Sequence, residues 1–401
     1  MASPIEVAPV DEWNEALVRN VHPPGWENPT PQGRYNLVVI GAGTGGLITA
    51  LIASSLGGRV ALVERHLMGG DCLNVGCVPS KAVIRGAQVI HEAREAARFG
   101  MPTAAGDLGD FAEVMRRMRE IRARISQEDS AQRYSEEFGI DVYLGDAAFL
   151  SPGRVAVGDQ VLEYSKAVIA TGARAVAPPI PGLAEAGYLD NETVFSLTER
   201  PRRLAVIGAG PIGCELAQSF RRLGSEVHIL ERMDQILTRE DPDAAAIVQE
   251  AMVREGVEMI FECGIDKVER RGDVRVLHLE CPKKGRRQLE VDAILVGAGR
   301  APNVDGLGLE QVGVEYDPKT GVRVDDTLRT TNKRIWAVGD VCMQWKFTHA
   351  ADAAAKIAVQ NALFAVGPFG RKKLSSLVMP WCTYTEPEIA HVGLYARDAD
   401  E

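Results

Sequence analysis

Cysteine is scarce in this 401-residue chain. The seven present, at 72, 77, 214, 263, 281, 342 and 382, are too few to staple a fold of this length, and their odd number leaves at least one unpaired. Such usage fits a reducing compartment, so a cytoplasmic protein is expected. No second close pair of Cys or His accompanies Cys72 and Cys77, which leaves no ligand set for zinc, and no metal site is expected. The N-terminus lacks an apolar run and carries acids early, unlike a secretory signal or a transit peptide. Basic residues number 45 against 55 acidic ones, and a net charge of -10 excludes wholesale nucleic-acid binding. One charge-free stretch, Tyr35 to Gly58, has the length of a membrane span, but six glycines divide it into strand, turn and helix, so no membrane association is expected.

Glycine, by contrast, is abundant: 40 residues, without a collagen period. An excess of that kind marks tight turns or backbone that something approaches closely. Much of it lies in an internal repeat. The segment LVVIGAGTGGLITALIASSLGGRVALVER (37–65) matches LAVIGAGPIGCELAQSFRRLGSEVHILER (204–232) without a gap, thirteen of 29 positions being identical. Each copy reads as apolar strand, G-x-G-x-x-G, helix, second strand and acid, the order of a dinucleotide-binding βαβ unit. Gly41 and Gly208 permit the tight turn, Gly43 and Gly210 let a pyrophosphate approach the helix N-terminus, and Gly46 and Gly213 let helix and strand pack closely. Glu64 and Glu231 stand where a carboxylate accepts hydrogen bonds from a ribose. Two dinucleotides in one chain imply electron transfer between them. Further glycine turns at strand ends, AVIATGAR with Thr171 and Gly172, AILVGAGRAPN with Gly299, and IWAVGD with Asp340, are candidate cofactor edges.

Cys72 and Cys77 are the chemical centre. Five residues along an ideal helix would separate their Cα atoms by roughly 8 to 9 Å, beyond the limit of about 7 Å for a disulfide. A bridge therefore requires a distorted first turn, for which Gly70, Asn74, Gly76 and Pro79 are suited. Such a bridge would serve exchange chemistry better than a structural role. The other five cysteines read as small packing residues or surface thiols. The segment EVMRRMREIRARISQED places Met115, Met118, Ile121 and Ile125 at helical spacing, and Arg116, Arg117, Arg119, Arg122 and Arg124 read as its basic solvated face. ECPKKGRRQLE suits a hairpin tip.

The motif GGDCLNVGCVPSK, with both glycine fingerprints and the AVIATG, VGAGRAPN and IWAVGDV turns, resembles the class I flavoprotein disulfide reductases, which include lipoamide dehydrogenase, glutathione reductase and mercuric reductase. The likeness runs from about residue 35 to the end and is greatest to the mercuric-reductase-like branch, in which NVHPPGWENPTPQGRYNLVVIGAG is a familiar opening. The resemblance implies an α/β fold of two Rossmann-like domains of the glutathione-reductase type plus the start of an α+β interface domain. Boundaries follow: an extension at 1–34, the FAD domain at 35–195 and 304–374, the NAD(P) domain at 196–303, and a truncated dimerisation domain at 375–401.

By resemblance FAD is contacted by Gly41, Gly43, Gly46, Glu64 and Asp340, and the nicotinamide cofactor by Gly208, Gly210, Gly213 and Glu231; Gly70, Asp71, Thr171, Gly172 and Gly299 are further cofactor-binding candidates. Hydride would pass from NAD(P)H to the flavin, which opens the disulfide. Cys77 would be the charge-transfer thiol, Cys72 the interchange thiol, and Lys81 would pair with Glu215 near the flavin. Glu231 would repel a 2'-phosphate, which favours NADH.

Departures from the family matter too. Pro211 stands where glutathione reductase carries a gating tyrosine. No H-x-H-P-x-x-E motif occurs, no histidine has its context, His391 reads as a strand residue, and the C-terminal Cys pair of mercuric reductases is missing. The expectation is an electron-transfer core cut short of the domain that selects its small-molecule or metal-ion acceptor, a homodimer at full length. Dihydrolipoamide dehydrogenase and a diaphorase acting on quinones, dyes or oxygen are the alternative activities, and a non-catalytic cofactor-loaded protein is the third class.

Overall fold

The two glycine segments fold alike down to single hydrogen bonds. In the first, strand Arg34–Ile40 runs parallel to Val60–Glu64 with Leu37 opposite Val60; in the second, Arg203–Ile207 runs parallel to Glu226–Leu230 with Leu204 opposite Val227. Gly41 N donates to Val63 O at 2.8 Å, and Gly208 N to Leu230 O at 2.9 Å. The computed structural model describes residues 5–101, 109–283, 285–367 and 369–399. They fall into two units: Met1–Cys77, Glu120–Arg174 and Arg300–Val378 form the first, and Val78–Arg119, Ala175–Gly299 and Met379–Glu401 the second.

In the first unit Arg34–Ile40 also pairs parallel with Gln160–Ile169, and Ile335–Ala337 joins the same strand. Asp141–Leu144 extends the other side, while Arg154–Val157 and Ala147–Ser151 complete a seven-stranded sheet as antiparallel strands. Its central strands are near-continuous apolar runs because both faces are covered; Leu37, Val38 and Val39 are fully buried. Helices Thr44–Ser55 and Thr348–Val359 pack together through small residues such as Gly45 and Ala351.

In the second unit Glu258–Ile260, Glu226–Leu230, Arg203–Ile207 and Ala293–Val296 make a four-stranded parallel sheet. Gly264–Arg271, Val274–Cys281 and Gly285–Val291 make a separate antiparallel one. The expected hairpin tip is the turn between its last two strands; Lys284 lies outside the described residues. Val83, Met115, Met118 and Ile389 share a core with Phe220 and Leu295, so parts of 78–119 and 379–401, which the sequence reading assigned to other domains, pack here. His391 is on a strand, Ile389–His391, that pairs with Trp381–Thr383.

Two expectations are corrected. Arg119 and Arg122 are not on a solvated face: both are buried, at 7% and 3% exposure. The buried stripe of helix Phe111–Ile125 follows Met115, Met118, Arg119 and Arg122, the i, i+3, i+4, i+7 positions, while Ile125 is exposed. Cys263 and Cys281, expected to be separate packing or surface thiols, form a disulfide. The hairpin register explains it. Gly264 is paired with Glu280, so one residue further out Cys263 faces Cys281. The charge-free stretch is divided as expected into a strand and helix Thr44–Ser55, and among the described residues no helix is long and apolar enough to cross a membrane.

Candidate active site

Glycine chemistry separates what the protein needs from what a ligand would need. Gly41 has φ +101° and an added Cβ would lie 2.4 Å from Ala170 O; at Gly46 it would lie 1.8 Å from Gly41 O. Gly208, at φ +100°, and Gly213, whose Cβ would lie 2.1 Å from Gly208 O, repeat the pattern. These four are required by the fold itself. The middle glycines are not. Gly43 and Gly210 have φ -75° with ψ -178° and -179°, extended backbone open to any residue. An added Cβ would meet only Gly70 Cα, at an ordinary 3.7 Å, in the first case and nothing within 4 Å in the second. Both residues begin helices that have no side-chain cap. A glycine that neither strain nor packing explains, at an uncapped helix N-terminus, fits an approaching phosphate, and the arrangement therefore fits a dinucleotide in each unit.

The acids after the second strands fasten the same loops. Glu64 accepts from Ala42 N at 2.7 Å and His66 N at 2.8 Å. Glu231 accepts from Ala209 N at 2.8 Å and Arg232 N at 2.7 Å. Each carboxylate retains lone pairs for a hydroxyl donor. Burial pushes the Glu64 carboxyl up, against the backbone donors that favour its charge.

The cysteines sit across a helix break, the distortion that a bridge between them would need. Cys72 lies in the short helix Gly70–Asn74, and Cys77 opens helix Cys77–Glu95. Between them Gly76 packs so tightly that a Cβ would lie 2.6 Å from Asp71 O, and Gly70, at φ +58°, leaves a Cβ only 2.6 Å from Gly43 Cα. The cysteine turn is thus seated directly on the first glycine loop. Both residues are thiols in the structure. The Cys72 thiol is hydrogen-bonded to Cys77, and this bond, followed by burial, raises its pKa, while a hydrogen bond with Thr348 opposes the rise. Thr348 Oγ1 also lies 3.2 Å from Cys77 Sγ.

Sequence reasoning missed the residues that hold this turn. Arg122 Nη1 donates to Asn74 O at 2.6 Å and its Nη2 to Asn14 Oδ1 at 2.7 Å, while Asn74 Nδ2 donates to Met68 O and Gly70 O. Arg300 gathers the cofactor-edge residues: it donates to the Asp71 carboxylate, to Ala173 O at 2.8 Å, and stands 3.5 Å from Asp340 Oδ2. Burial raises the Asp340 carboxyl, a shift that Arg300 opposes. Arg300 lay within the VGAGRAPN turn, but Asp71 and Asp340 are distant from it along the chain, so no local pattern marked it. Thr171 Oγ1 donates to Asn303 O at 2.7 Å, and Gly172 has φ +68°.

In the second unit Lys81 Nζ is 2.8 Å from Glu215 Oε2. Glu215 Oε1 accepts from Tyr384 N at 2.9 Å, and Lys81 lies over the Tyr384 ring at 4.5 Å. Glu215 is therefore more than a partner for its helix dipole. Gly299, at φ +111°, stays in the same unit as Gly208 and Glu231.

Comparison with known proteins agrees with this geometry. Residues 35–355 match the model of the pyridine nucleotide-disulphide oxidoreductases. A mercuric reductase of Bacillus cereus is 33% identical over 92% of this chain and 57% of its own length, and one of Staphylococcus aureus is 35% identical over 92% and 66%. The chain thus spans under two thirds of these relatives. A dihydrolipoyl dehydrogenase of Bacillus subtilis (strain 168) is 33% identical over 90% of the chain and 78% of its own length. Among solved structures, the HOCl-induced flavoprotein disulfide reductase RclA from Escherichia coli superposes with a TM-score of 0.80 at 29% identity, covering 91% of this chain and 79% of that one. With its duplicated glycine loops and its cysteine turn in place, this chain belongs to the pyridine nucleotide-disulphide oxidoreductase family.

Proposed function

We propose that this chain is the electron-transfer core of an NAD(P)H-dependent flavoprotein disulfide reductase. FAD is held by Gly41, Gly43, Gly46, Glu64, Gly70, Asp71, Thr171, Gly172 and Asp340, and the nicotinamide cofactor by Gly208, Gly210, Gly213, Glu231 and Gly299. The bound flavin supplies the two-electron relay between nicotinamide and cysteine pair. In balance, NAD(P)H, a proton and the Cys72–Cys77 disulfide give NAD(P)⁺ and two thiols; the thiols then reduce the acceptor and close again. The observation that carries this reading is the pair itself: two thiols hydrogen-bonded across a helix break, seated on a glycine loop whose middle glycine the protein does not otherwise need.

Cys77 takes the flavin-facing role and Cys72 the interchange role. The hydrogen bond to Cys77 and burial both favour the protonated Cys72 thiol, which suits this division. Lys81 is kept in place by Glu215. Glu231 favours NADH over NADPH, since a carboxylate at that position repels a 2'-phosphate. The acceptor is read as mercuric-reductase-like, a metal ion or small molecule, and a homodimer goes with the reading. The second reading, a dithiol substrate as in dihydrolipoyl dehydrogenase, is favoured by a relative of that name at 33% identity, the same as the mercuric reductase of Bacillus cereus.

Anaerobic titration with NADH tests the core claim. It should bleach the flavin and raise a long-wavelength thiolate-to-flavin band, and Cys77→Ser should abolish the band while Cys72→Ser keeps it. A band that survives Cys77→Ser overturns the assignment. Comparing turnover with Hg(II), dihydrolipoamide and quinones then fixes the acceptor.

A further inference from the structure

Where the two central strands of the second unit's parallel sheet begin, at the end opposite the glycine loop, lies a cavity of about 310 Å³ lined by Arg200, Arg202, Arg203, Arg221, Gly224 and Glu226. Four guanidinium groups around one space is a costly arrangement in a chain whose net charge is -10, because like charges repel unless something neutralises them. Two of the four have protein acceptors. Arg203 grips Asp292 through its Nε and Nη2, at 3.2 and 2.7 Å. Arg221 donates to Glu255 O at 2.7 Å and Ser225 O at 3.2 Å, which orients it without cancelling its charge. Among the described residues, the side chains of Arg200 and Arg202 make no hydrogen bond or ion pair; Arg202 adds only a longer-range attraction to Asp292. Glu226, the one acid in the lining, sits 3.1 Å from His228 Nε2. Four positive charges thus face Glu226 and Asp292, and Glu290 adds a longer-range attraction to Arg203.

From this we infer that the cavity is a binding site for a small phosphate-bearing anion, a phosphate monoester or pyrophosphate group held by Arg200, Arg202 and Arg221. The guanidinium groups of Arg200 and Arg202, left without an acceptor among the described residues, suit phosphoryl oxygens through paired N–H donors. The orientation of Arg221 by main-chain carbonyls leaves its second Nη for such an oxygen. The site is separate from the nucleotide loop. Arg203 opens the strand that Ile207 closes, so about 13 Å of strand lies between the cavity and Gly208.

Arginine protection tests the site directly on the full protein with its cofactors as purified. Inorganic pyrophosphate should slow phenylglyoxal modification of Arg200 and Arg202 saturably, by about tenfold, as mapped by peptide mass. Arg254, an exposed control at 70% side-chain exposure, should react unchanged. Sodium chloride at matched ionic strength should protect neither. In parallel, an R200A/R202A variant with NAD⁺ present at saturation should lose the pyrophosphate-dependent rise in melting temperature that the unaltered protein shows. No protection, protection matched by chloride, or an undiminished melting shift in R200A/R202A would each overturn the site. The mapping reads these two arginines alone, so its outcome does not depend on the nucleotide loop binding NAD(P)H.

Discussion

Lys81 Nζ and Glu215 Oε2 stand 2.8 Å apart, the carboxylate side chain only 6% exposed and the lysine 37%. Removing one member of such a pair strands the other. Glu215→Ala leaves the ammonium and Tyr384 N without their acceptor, and should lower unfolding stability by about 2 kcal/mol, below the range for fully buried pairs because Lys81 is partly solvated. Combining it with Lys81→Met should cost less than the two changes summed, giving a coupling of about 1 kcal/mol in a denaturant double-mutant cycle. Strict additivity would show that the pair carries no energy.

Asp129 supplies a pH dependence. Burial, reinforced by Glu128 and opposed by Arg133, raises its carboxyl from 3.8 to about 6. The folded state then holds the proton over a range in which the unfolded chain has released it. Stability from this group is fully present below about pH 4 and lost as pH rises through 6. Asp129→Asn should therefore stabilise by about 1 to 2 kcal/mol at pH 8, an amount discounted for partial solvation, and by nothing at pH 4. Urea unfolding at both pH values decides it; an equal gain at pH 4 and pH 8 would rule out the carboxyl's titration as the cause.

The Cys263–Cys281 disulfide can be counted. With the Cys72–Cys77 pair opened by NADH, five thiols should react in denaturant, and the last two only after dithiothreitol. The bridge closes a loop between residues 18 apart, so replacing both cysteines by alanine should lower stability by about 3 kcal/mol on loop-entropy grounds. Seven reactive thiols before any strong reductant would refute the bridge.

What could be read from the sequence follows from where physics leaves no alternative. Gly41, Gly46, Gly208 and Gly213 are fixed by positive φ or contact with backbone, so the repeat spelled out two βαβ units. A bridge between Cys72 and Cys77 called for a break in the helix, and the break is there. A charge ordinarily marks solvent, yet Arg122, seven residues after Met115, falls on the buried stripe. A buried guanidinium needs acceptors from distant segments, Asn14 and Asn74, and one-dimensional patterns do not show those. Cys263 and Cys281 became partners only through a hairpin register, which depends on a bulge between Ile265 and Lys267.

The second glycine loop offers a prediction in which stability and binding part company. Gly213→Ala drives a Cβ to 2.1 Å from Gly208 O, backbone that cannot yield cheaply, and should destabilise by about 2 kcal/mol or more. Gly210→Ala meets no atom within 4 Å and asks for no unusual φ, so its stability should change by no more than about 1 kcal/mol, the scale of a lost cap preference. Its methyl group nonetheless projects where a pyrophosphate would approach the helix N-terminus, and NADH affinity should fall by about tenfold or more. Thermal melts paired with NADH fluorescence titration separate the two effects. Gly210→Ala binding NADH as tightly as the unaltered chain would remove the argument that this glycine exists for a ligand.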